Sequence, residues 1–202
     1  EIKDICVYLR YGRGLQLRML APEDHSPEIA KHLAQYSGKP IQNIKKLIHC
    51  IRRVERLGAE VIIYPDAEEY INLKLFQERM AEAVAEIRKA PQKHPLRKTL
   101  LNAELLPYQL DGIAFAAGAG RAVLADDMGL GKTIQGIGVA ELMSRHAPVS
   151  KVLVICPASL KSQWRIEIER FSNRSCQLIL GSAKERPAQY DSDSFFTVCN
   201  YE

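Results

Sequence analysis

The chain has 202 residues, of which 28 are Lys or Arg and 24 are Asp or Glu, giving a formal charge of +4, and 47% of its residues are apolar. This length suits one or two domains, and the apolar fraction is too high for a disordered chain. No apolar run approaches the roughly 18 residues of a membrane helix, the first ten residues are charged where a signal peptide is apolar, and the five cysteines lack disulfide or zinc-site spacing. We therefore predict a soluble cytoplasmic protein, associated with the nucleoid if bacterial and nuclear if eukaryotic.

The first half of the chain predicts a helix-rich α+β domain. Residues 2–9 and 15–20 are rich in apolar side chains and flank a Gly-rich turn, which indicates a β-hairpin. In residues 41–57 apolar side chains recur at helical spacing and Gly58 follows as a stop, which predicts a helix with one apolar face. The other predicted elements are a helix over 26–36, a short strand over 61–64, and a helix over 66–88 capped by Asp66 and Glu69.

Residues 89–99 contain two prolines and several basic side chains, which is typical of a linker. We therefore place a domain boundary here, with an accessory domain over 1–98 and a second domain over 99–202. The basic excess of the chain lies entirely in its first 100 residues, so the accessory domain carries it.

The second half of the chain alternates between predicted strands and helices. The predicted helices cover 107–118, 132–145 and 160–171, and the predicted strands cover 121–125, 152–156, 177–180 and 195–199. The strands are apolar without alternation, and helices separate them. This pattern predicts an α/β fold with a parallel sheet of four strands covered on both faces.

The strongest motif in the chain is Asp126-Asp127-Met128-Gly129-Leu130-Gly131-Lys132-Thr133. Gly129 and Gly131 allow backbone angles that turn successive N–H groups toward phosphate oxygens, and the next helix presents its positive end to the same anion. Lys132 can reach the β and γ phosphates of a nucleotide, and the Thr133 hydroxyl can ligate Mg²⁺. All eight residues are therefore candidates for binding ATP, with Lys132 and Thr133 as catalytic candidates. The alternative is a Gly-rich turn with an incidental Lys-Thr pair.

Two further motifs flank this loop in the chain. Leu106-Pro107-Tyr108-Gln109-Leu110-Asp111-Gly112 precedes it, and Val152-Leu153-Val154-Ile155-Cys156-Pro157-Ala158-Ser159-Leu160 with Gln163-Trp164 follows it. Residues 106–202 thereby resemble the Swi/Snf-type helicase-like ATPases of the second helicase superfamily. The resemblance implies a P-loop RecA-like lobe, incomplete in this chain, from a protein that translocates on or remodels double-stranded DNA or protein–DNA complexes.

The resemblance also implies roles for residues outside the loop. Gln109 corresponds to a glutamine that recognises the adenine edge, which a carboxamide suits because it both donates and accepts; the alternative is a solvated helix residue. Ser159 lies in a segment similar to the motif that grips the nucleic-acid backbone, and it also suits the N-cap of the next helix. Trp164 shares a helical face with Ile168 and Phe171, which favours packing over base stacking.

Hydrolysis needs groups that these 202 residues lack. Holding Mg²⁺ and polarising water takes a carboxylate pair, and the transition-state charge takes an arginine. In the family these lie on an Asp-Glu box and on a second RecA-like lobe, so we expect this chain, as an excerpt of a longer ATP hydrolase, to be inactive alone. The acidic cluster of Asp66, Glu68 and Glu69 precedes the loop, against the family order, and is interpreted as a helix cap.

A basic stripe is the candidate functional feature of the accessory domain. Lys45, His49, Arg52, Arg53 and Arg56 recur at helical spacing opposite the apolar face of the helix over 41–57. Such a stripe can track a phosphate backbone, which makes its Lys and Arg members candidates for binding nucleic acid. The alternative is a solvated helix face.

The residues and the resemblance together predict the ATP-binding portion of a DNA-dependent ATPase. ATP and Mg²⁺ are the expected cofactors, double-stranded DNA is the expected partner, and a protein partner through the accessory domain is a further expectation; no membrane partner is expected. Two alternatives stay open. One is a P-loop kinase or ATPase that does not act on nucleic acid, and the other is a nucleotide-binding module whose N-terminal domain docks a protein.

Overall fold

A computed structural model describes residues 4–22, 24–147 and 149–201. The chain divides into two compact units, one ending at Glu78 and the other beginning at Arg79. The first two residues of the predicted strand over 2–9 lie outside the described residues. Across the described ranges, no helix combines the length and the apolar character needed to cross a bilayer.

The first unit contains a three-stranded sheet with the order β2-β1-β3. Strand β1 (Ile5–Arg10) pairs antiparallel with β2 (Gln16–Leu20), which confirms the predicted hairpin, and parallel with β3 (Val61–Ile63). Successive side chains of a strand point to opposite faces, so alternate residues are buried. The buried members of the hairpin are Ile5, Val7, Leu9, Leu17 and Met19.

Two helices pack onto this sheet, and the first turns of a third helix add Ala67 and Ile71 to the core. Helix α1 (Pro27–Leu33) begins as predicted, with the Ser26 hydroxyl accepting from the Ile29 amide at 3.4 Å, but it ends before the predicted Tyr36. Helix α2 (Ile44–Arg56) begins after Asn43, whose side chain accepts from the Lys46 amide at 2.9 Å. The apolar face predicted for this helix is confirmed, because Ile44, Leu47, Cys50, Ile51 and Val54 are all buried in the core. Full burial of such an aliphatic side chain contributes about 1.5–3 kcal/mol.

Helix α3 (Pro65–Lys89) contains the point at which the two units divide. The sequence places the boundary at residues 98–99 instead, after the Pro-rich segment. The later part of α3 groups with the second unit, where the Val84 side chain lies against Gly118 and the Arg88 Nε lies 3.1 Å from the Asp111 carboxylate. Met80 and Ile87, also in this part of α3, are buried. Asp66 and Glu68 lie in the first turn of this helix, in the first unit. Because the helix begins at Pro65, Asp66 lies inside it rather than at the predicted cap position.

The segment over 89–99 is ordered in part as a short helix, α4 (Leu96–Thr99), rather than as an extended linker. The Arg97 side chain fixes it, because its Nε donates to the Leu105 carbonyl at 2.8 Å and one terminal nitrogen lies 2.9 Å from the Glu104 carboxylate. The composition of this segment, with two prolines and many cations, predicts a linker. The contacts of Arg97 instead fix the segment to the second unit.

The second unit is an α/β domain around a parallel sheet with the order β4-β6-β5. Its further elements are α5 (Pro107–Ala119), α6 (Lys132–His146), β4 (Val152–Cys156), a 3-10 turn (Ala158–Leu160), α7 (Lys161–Phe171), β5 (Cys176–Leu178), α8 (Arg186–Gln189) and β6 (Phe196–Asn200). The central strand β6 is buried from Phe196 to Cys199, as expected for a strand whose apolar run does not alternate. The predicted parallel α/β fold is confirmed.

The strand predicted over 121–125 is wrong, so the described sheet has three strands rather than four. Val123 in this segment is 84% exposed, and none of the described strands pairs with it. A short apolar run becomes a strand only where a neighbouring strand pairs with its backbone. Strand β4 pairs only with β6 among the described strands, and its Leu153 and Ile155 remain exposed.

Candidate functional site

The glycine-rich loop lies immediately before α6, as predicted. Gly129 has a φ of 86° and Gly131 a φ of 79°, both in the left-handed region that favours glycine. Gly131 is the N-cap residue of α6, and no side chain caps the helix there. The first amides of α6 and the positive end of its dipole are therefore available to an anion.

Lys132 bridges two carbonyls of this loop. Its ammonium group donates to the Asp126 carbonyl oxygen at 2.8 Å and to the Asp127 carbonyl oxygen at 2.9 Å. The side chain remains partly exposed, as does that of Thr133. Both polar groups thus lie at the N-terminus of α6, beside the helix amides.

Two side chains of helix α5 donate hydrogen bonds to the backbone of the loop. The Gln109 Nε2 donates to the Leu130 carbonyl at 3.3 Å, and the Tyr108 hydroxyl donates to the same oxygen at 3.2 Å. The Gln109 Oε1 accepts from the Leu106 amide at 3.0 Å, which caps α5. A Cβ atom on Gly131 would lie 2.7 Å from the Gln109 Nε2, so this glycine is needed for space as well as for its φ angle.

The carboxamide of Gln109 is therefore neither solvated nor free. The side chain is 9% exposed and its two polar atoms pair with backbone groups, which rules out the solvated alternative. Its proposed contact with adenine stays a prediction.

Gln135 is a site residue that the sequence reasoning missed. Its Nε2 donates to the Asp126 carboxylate at 2.8 Å, while its Oε1 has no hydrogen-bond partner among the described residues. The side chain is fully buried on α6 between Ile134 and Ile137. The one available signal was a polar residue on the apolar face of a helix that follows a phosphate loop.

These residues fit a nucleotide phosphate and its metal ion. The amides at the start of α6, the Lys132 ammonium and the Thr133 hydroxyl are the donor and ligand types that such groups require. In the described part of the chain, no group of three or more His, Cys, Asp or Glu side chains could hold a metal ion by itself. A Mg²⁺ ion here would accordingly depend on Thr133, on the phosphates and on water.

The predicted N-cap role of Ser159 is wrong. Ser159 lies inside the 3-10 turn, the cap positions of this turn and of α7 are Pro157 and Leu160, and neither carries a side-chain cap. Ser159 is exposed, so its contact with nucleic acid stays a prediction. The predicted packing of Trp164 agrees with the structure, where its ring is half-buried and would lie 3.5 Å from a Cβ placed on Gly136 of α6.

Lys161 was also missed by the sequence reasoning. It begins α7, is 9% exposed, and donates to the Ile179 carbonyl at 2.8 Å and to the Asn200 side-chain oxygen at 3.0 Å. Ile179 directly follows β5, and Asn200 is the last residue of β6. The lysine therefore fixes the carboxyl edge of the sheet, next to the turn that carries Ser159.

The structure divides the predicted basic stripe of α2. All five residues are exposed, but only Lys45, His49 and Arg53 line a hollow beside α1, whereas Arg52 and Arg56 do not. Lys45 lies 3.6 Å from the Glu78 carboxylate. The stripe is thus two sets of cations, and its role in nucleic-acid binding stays a prediction.

The parallel sheet and the glycine-rich loop before α6 define the second unit as a phosphate-loop α/β domain. Residues 108–196 match the model of the SNF2-related domain. The DNA annealing helicase and endonuclease ZRANB3 of Bos taurus is 47% identical over 72 residues, covering 35% of this chain and 6% of that protein. The SWI/SNF-related matrix-associated actin-dependent regulator of chromatin subfamily A-like protein 1 of Xenopus laevis is 32% identical over 132 residues, covering 65% and 13%.

The matched segment of the chain is therefore similar to the Swi/Snf-type helicase-like ATPases, which confirms the resemblance predicted from the sequence motifs. A solved structure, the Sulfolobus solfataricus SWI2/SNF2 ATPase core in complex with dsDNA, has 31% identity and a TM-score of 0.44, covering 50% of this chain and 22% of that one. The fold assignment rests on the sheet order of the chain itself rather than on that superposition. The chain spans only 6% and 13% of the length of the two curated relatives.

Proposed function

We propose that this chain is the ATP-binding portion of a Swi/Snf-type DNA-dependent ATPase that translocates on or remodels double-stranded DNA or protein–DNA complexes. The observation that carries the proposal is the loop geometry: Lys132 and Thr133 stand at the uncapped N-terminus of α6, inside the segment that matches the SNF2-related domain. The relative named as a DNA annealing helicase supports DNA as the substrate.

The glycines, Lys132 and Thr133 have defined tasks in this proposal. Gly129 and Gly131 shape the backbone so that its amides surround phosphate oxygens. Lys132 would exchange its contacts with the Asp126 and Asp127 carbonyls for contacts with the β and γ phosphates, and the Thr133 hydroxyl would serve as a ligand to Mg²⁺. Met128 and Leu130 complete the loop. When bound, ATP supplies the phosphoryl group whose transfer to water releases the free energy for movement.

The remaining proposed contacts concern the base and the DNA. Gln109 would read the adenine edge by exchanging its bonds to the Leu106 amide and the Leu130 carbonyl for bonds to the base. Ser159 would contact the DNA backbone from the edge of the sheet. In the first unit, Lys45, Arg52, Arg53 and Arg56 would contact DNA phosphates.

Replacing Lys132 with alanine tests the nucleotide site. We expect Lys132→Ala to lower ATP affinity by at least about tenfold, because the ammonium no longer pairs with phosphate. Titration calorimetry on the whole chain measures this, and Lys151→Ala, an exposed lysine before β4, serves as the matched control. Equal affinities for Lys132→Ala and the unchanged chain would refute the loop assignment.

A second measurement separates the proposal from its alternatives. We expect the 202-residue chain to show no ATP turnover, and a longer protein with the Asp-Glu box and second lobe to show turnover that duplex DNA stimulates. Turnover by the short chain that Lys132→Ala abolishes would mean that the catalytic carboxylate has been misplaced. Turnover in the long protein that ignores DNA would favour a kinase or an ATPase of another class.

The docking alternative has its own test in the first unit. If the triple change Lys45→Glu, Arg52→Glu and Arg56→Glu left DNA binding intact but removed a protein partner, the accessory domain would be a protein-docking module.

A further inference from the structure

The hollow beside α1 and α2 in the first unit is a cavity of about 490 Å³. This volume falls within the range of about 300–1,000 Å³ that is usual for ligand pockets. Among its lining residues are His32, Tyr36, Lys45, Lys46, His49 and Arg53, and the described lining contains no carboxylate. A concave surface lined by several cations and no anions favours an anionic ligand.

Two of the cations are available to a ligand. Lys46 and Arg53 are exposed, and neither forms an ion pair with a described residue. Lys45 differs from them because its ammonium lies near the Glu78 carboxylate. A phosphate that entered the cavity would gain charge-assisted hydrogen bonds from Lys46 and Arg53 without breaking an existing pair.

Tyr36 provides an independent sign of a ligand. The residue is 8% exposed and lines the cavity, yet its hydroxyl has no hydrogen-bond partner within the described residues. Buried hydroxyl groups are nearly always paired, so this donor lacks an acceptor that something else can supply. Burial, reinforced by the nearby Cys50 thiol, raises the pKa of Tyr36, which keeps the hydroxyl protonated and able to donate.

We propose that this cavity binds one unpaired nucleotide of a DNA strand, with Lys46 and Arg53 on its phosphate and the Tyr36 hydroxyl donating to one of its oxygens. Duplex DNA presents its phosphates on a stiff convex surface, whereas an unpaired nucleotide can turn into a hollow. Arg52 and Arg56 lie on the same helix outside the cavity and remain suited to a duplex backbone. The choice of DNA as the ligand rests on the proposed function, but the site does not use the phosphate loop and is therefore tested separately.

Two charge-matched variants of α2 test the cavity. One carries Lys46→Glu and Arg53→Glu inside it, and the other carries Arg52→Glu and Arg56→Glu outside it. Fluorescence anisotropy at physiological salt measures the affinity of the whole chain for a labelled deoxythymidine oligonucleotide and for a duplex of equal length. We expect the inside pair to weaken single-strand binding by at least about tenfold and the outside pair to weaken it by less than about threefold.

The outcomes are distinguishable. Equal losses of single-strand affinity for the two pairs would overturn the proposal, because the stripe would then act only through its total charge. A loss of duplex affinity as large as the loss of single-strand affinity in the inside pair would overturn the assignment to an unpaired nucleotide. All four positions are exposed, so the variants should keep the parent melting temperature, which circular dichroism verifies.

Tyr36→Phe tests the buried donor without changing the charge or the ring. We expect single-strand affinity to fall by roughly three- to tenfold, since one hydrogen bond to a charged oxygen is lost. Unchanged affinity would remove Tyr36 from the site. Lys132→Ala is the cross-control, because it should leave single-strand binding by the first unit unaltered while it lowers ATP affinity. Failure of the ATPase proposal and failure of the cavity proposal therefore give different results.

Discussion

Gln135 connects the phosphate loop to the buried face of α6. Its amide nitrogen holds the Asp126 carboxylate, and Asp126 stands where phosphate loops of this kind usually begin with glycine. Its oxygen is buried and unpaired among the described residues, which costs stability. Gln135 thus costs stability through its unpaired Oε1 while it positions Asp126 at the start of the phosphate loop.

The change Gln135→Met separates the positioning of Asp126 from the stability cost of the unpaired oxygen. We expect ATP affinity to fall by about five- to tenfold because Asp126 loses its anchor, while the free energy of unfolding changes by less than about 1 kcal/mol because the orphan oxygen also disappears. Calorimetry and urea denaturation measure the two quantities. Gln163→Met, at an exposed position of α7, is the control. Unaltered ATP affinity in Gln135→Met would show that Asp126 needs no anchor.

At the scale of elements, glycines let α5 and α6 approach each other closely. A Cβ on Gly138 would lie 2.3 Å from the Ile113 Cδ1, and one on Gly112 would lie 2.2 Å from the Gln135 Oε1. Each helix therefore contributes one glycine to the contact. Because α5 carries Gln109 and α6 carries Lys132, the spacing of the two helices also sets the spacing of these site residues.

Gly138→Ala should force the two helices apart. We expect it to lower the free energy of unfolding by about 1–3 kcal/mol, the usual range for overpacking. Adding Ile113→Val removes the clashing Cδ1 and should restore part of the loss, as chemical denaturation can measure. Gly136→Ala on the same helix is the matched control, because its new Cβ would lie at an ordinary 3.5 Å from Trp164. Equal losses for both alanine variants would contradict the close-approach explanation.

Features that depend on residues close together in the chain could be predicted from the sequence. The loop, α6 and the Ser26 cap follow from residue type and short spacing, so their positions were predicted correctly. The strand over 121–125 was not, because strand formation depends on a partner far away in sequence, and none of the described strands supplies one. Gln135, Lys161 and the hollow beside α2 were missed for the same reason, since each depends on contacts between separate elements.

At the scale of the whole molecule, residues 79–98 belong with the phosphate-loop domain rather than with the accessory domain. Composition placed the boundary at the prolines, where the chain looks like a linker. The packing of Met80 and Ile87 and the contacts of Arg97 place this segment with the second unit instead. The second unit therefore begins within helix α3.

Two fragments distinguish these boundaries. We expect a fragment over 79–202 to be more stable than one over 99–202 by roughly 3–6 kcal/mol, because the shorter one loses two fully buried apolar side chains, each contributing about 1.5–3 kcal/mol. Urea denaturation followed by circular dichroism measures the difference. The longer fragment with Met80→Ala and Ile87→Ala should lose most of its advantage. Equal denaturation midpoints for the two fragments would place the boundary at the prolines after all.

The bridge from Lys132 to the Asp126 and Asp127 carbonyls has a thermodynamic consequence for ligand entry. The loop already has a fixed shape, so a nucleotide pays little to order it, but the ammonium must first give up two acceptors. Binding of ATP as proposed would therefore be an exchange of partners, in which hydrogen bonds within the protein are broken as those to phosphate form. The measured enthalpy of ATP binding should therefore be less favourable than the number of new contacts suggests. The entropy cost of binding should also be small, because the loop is already ordered.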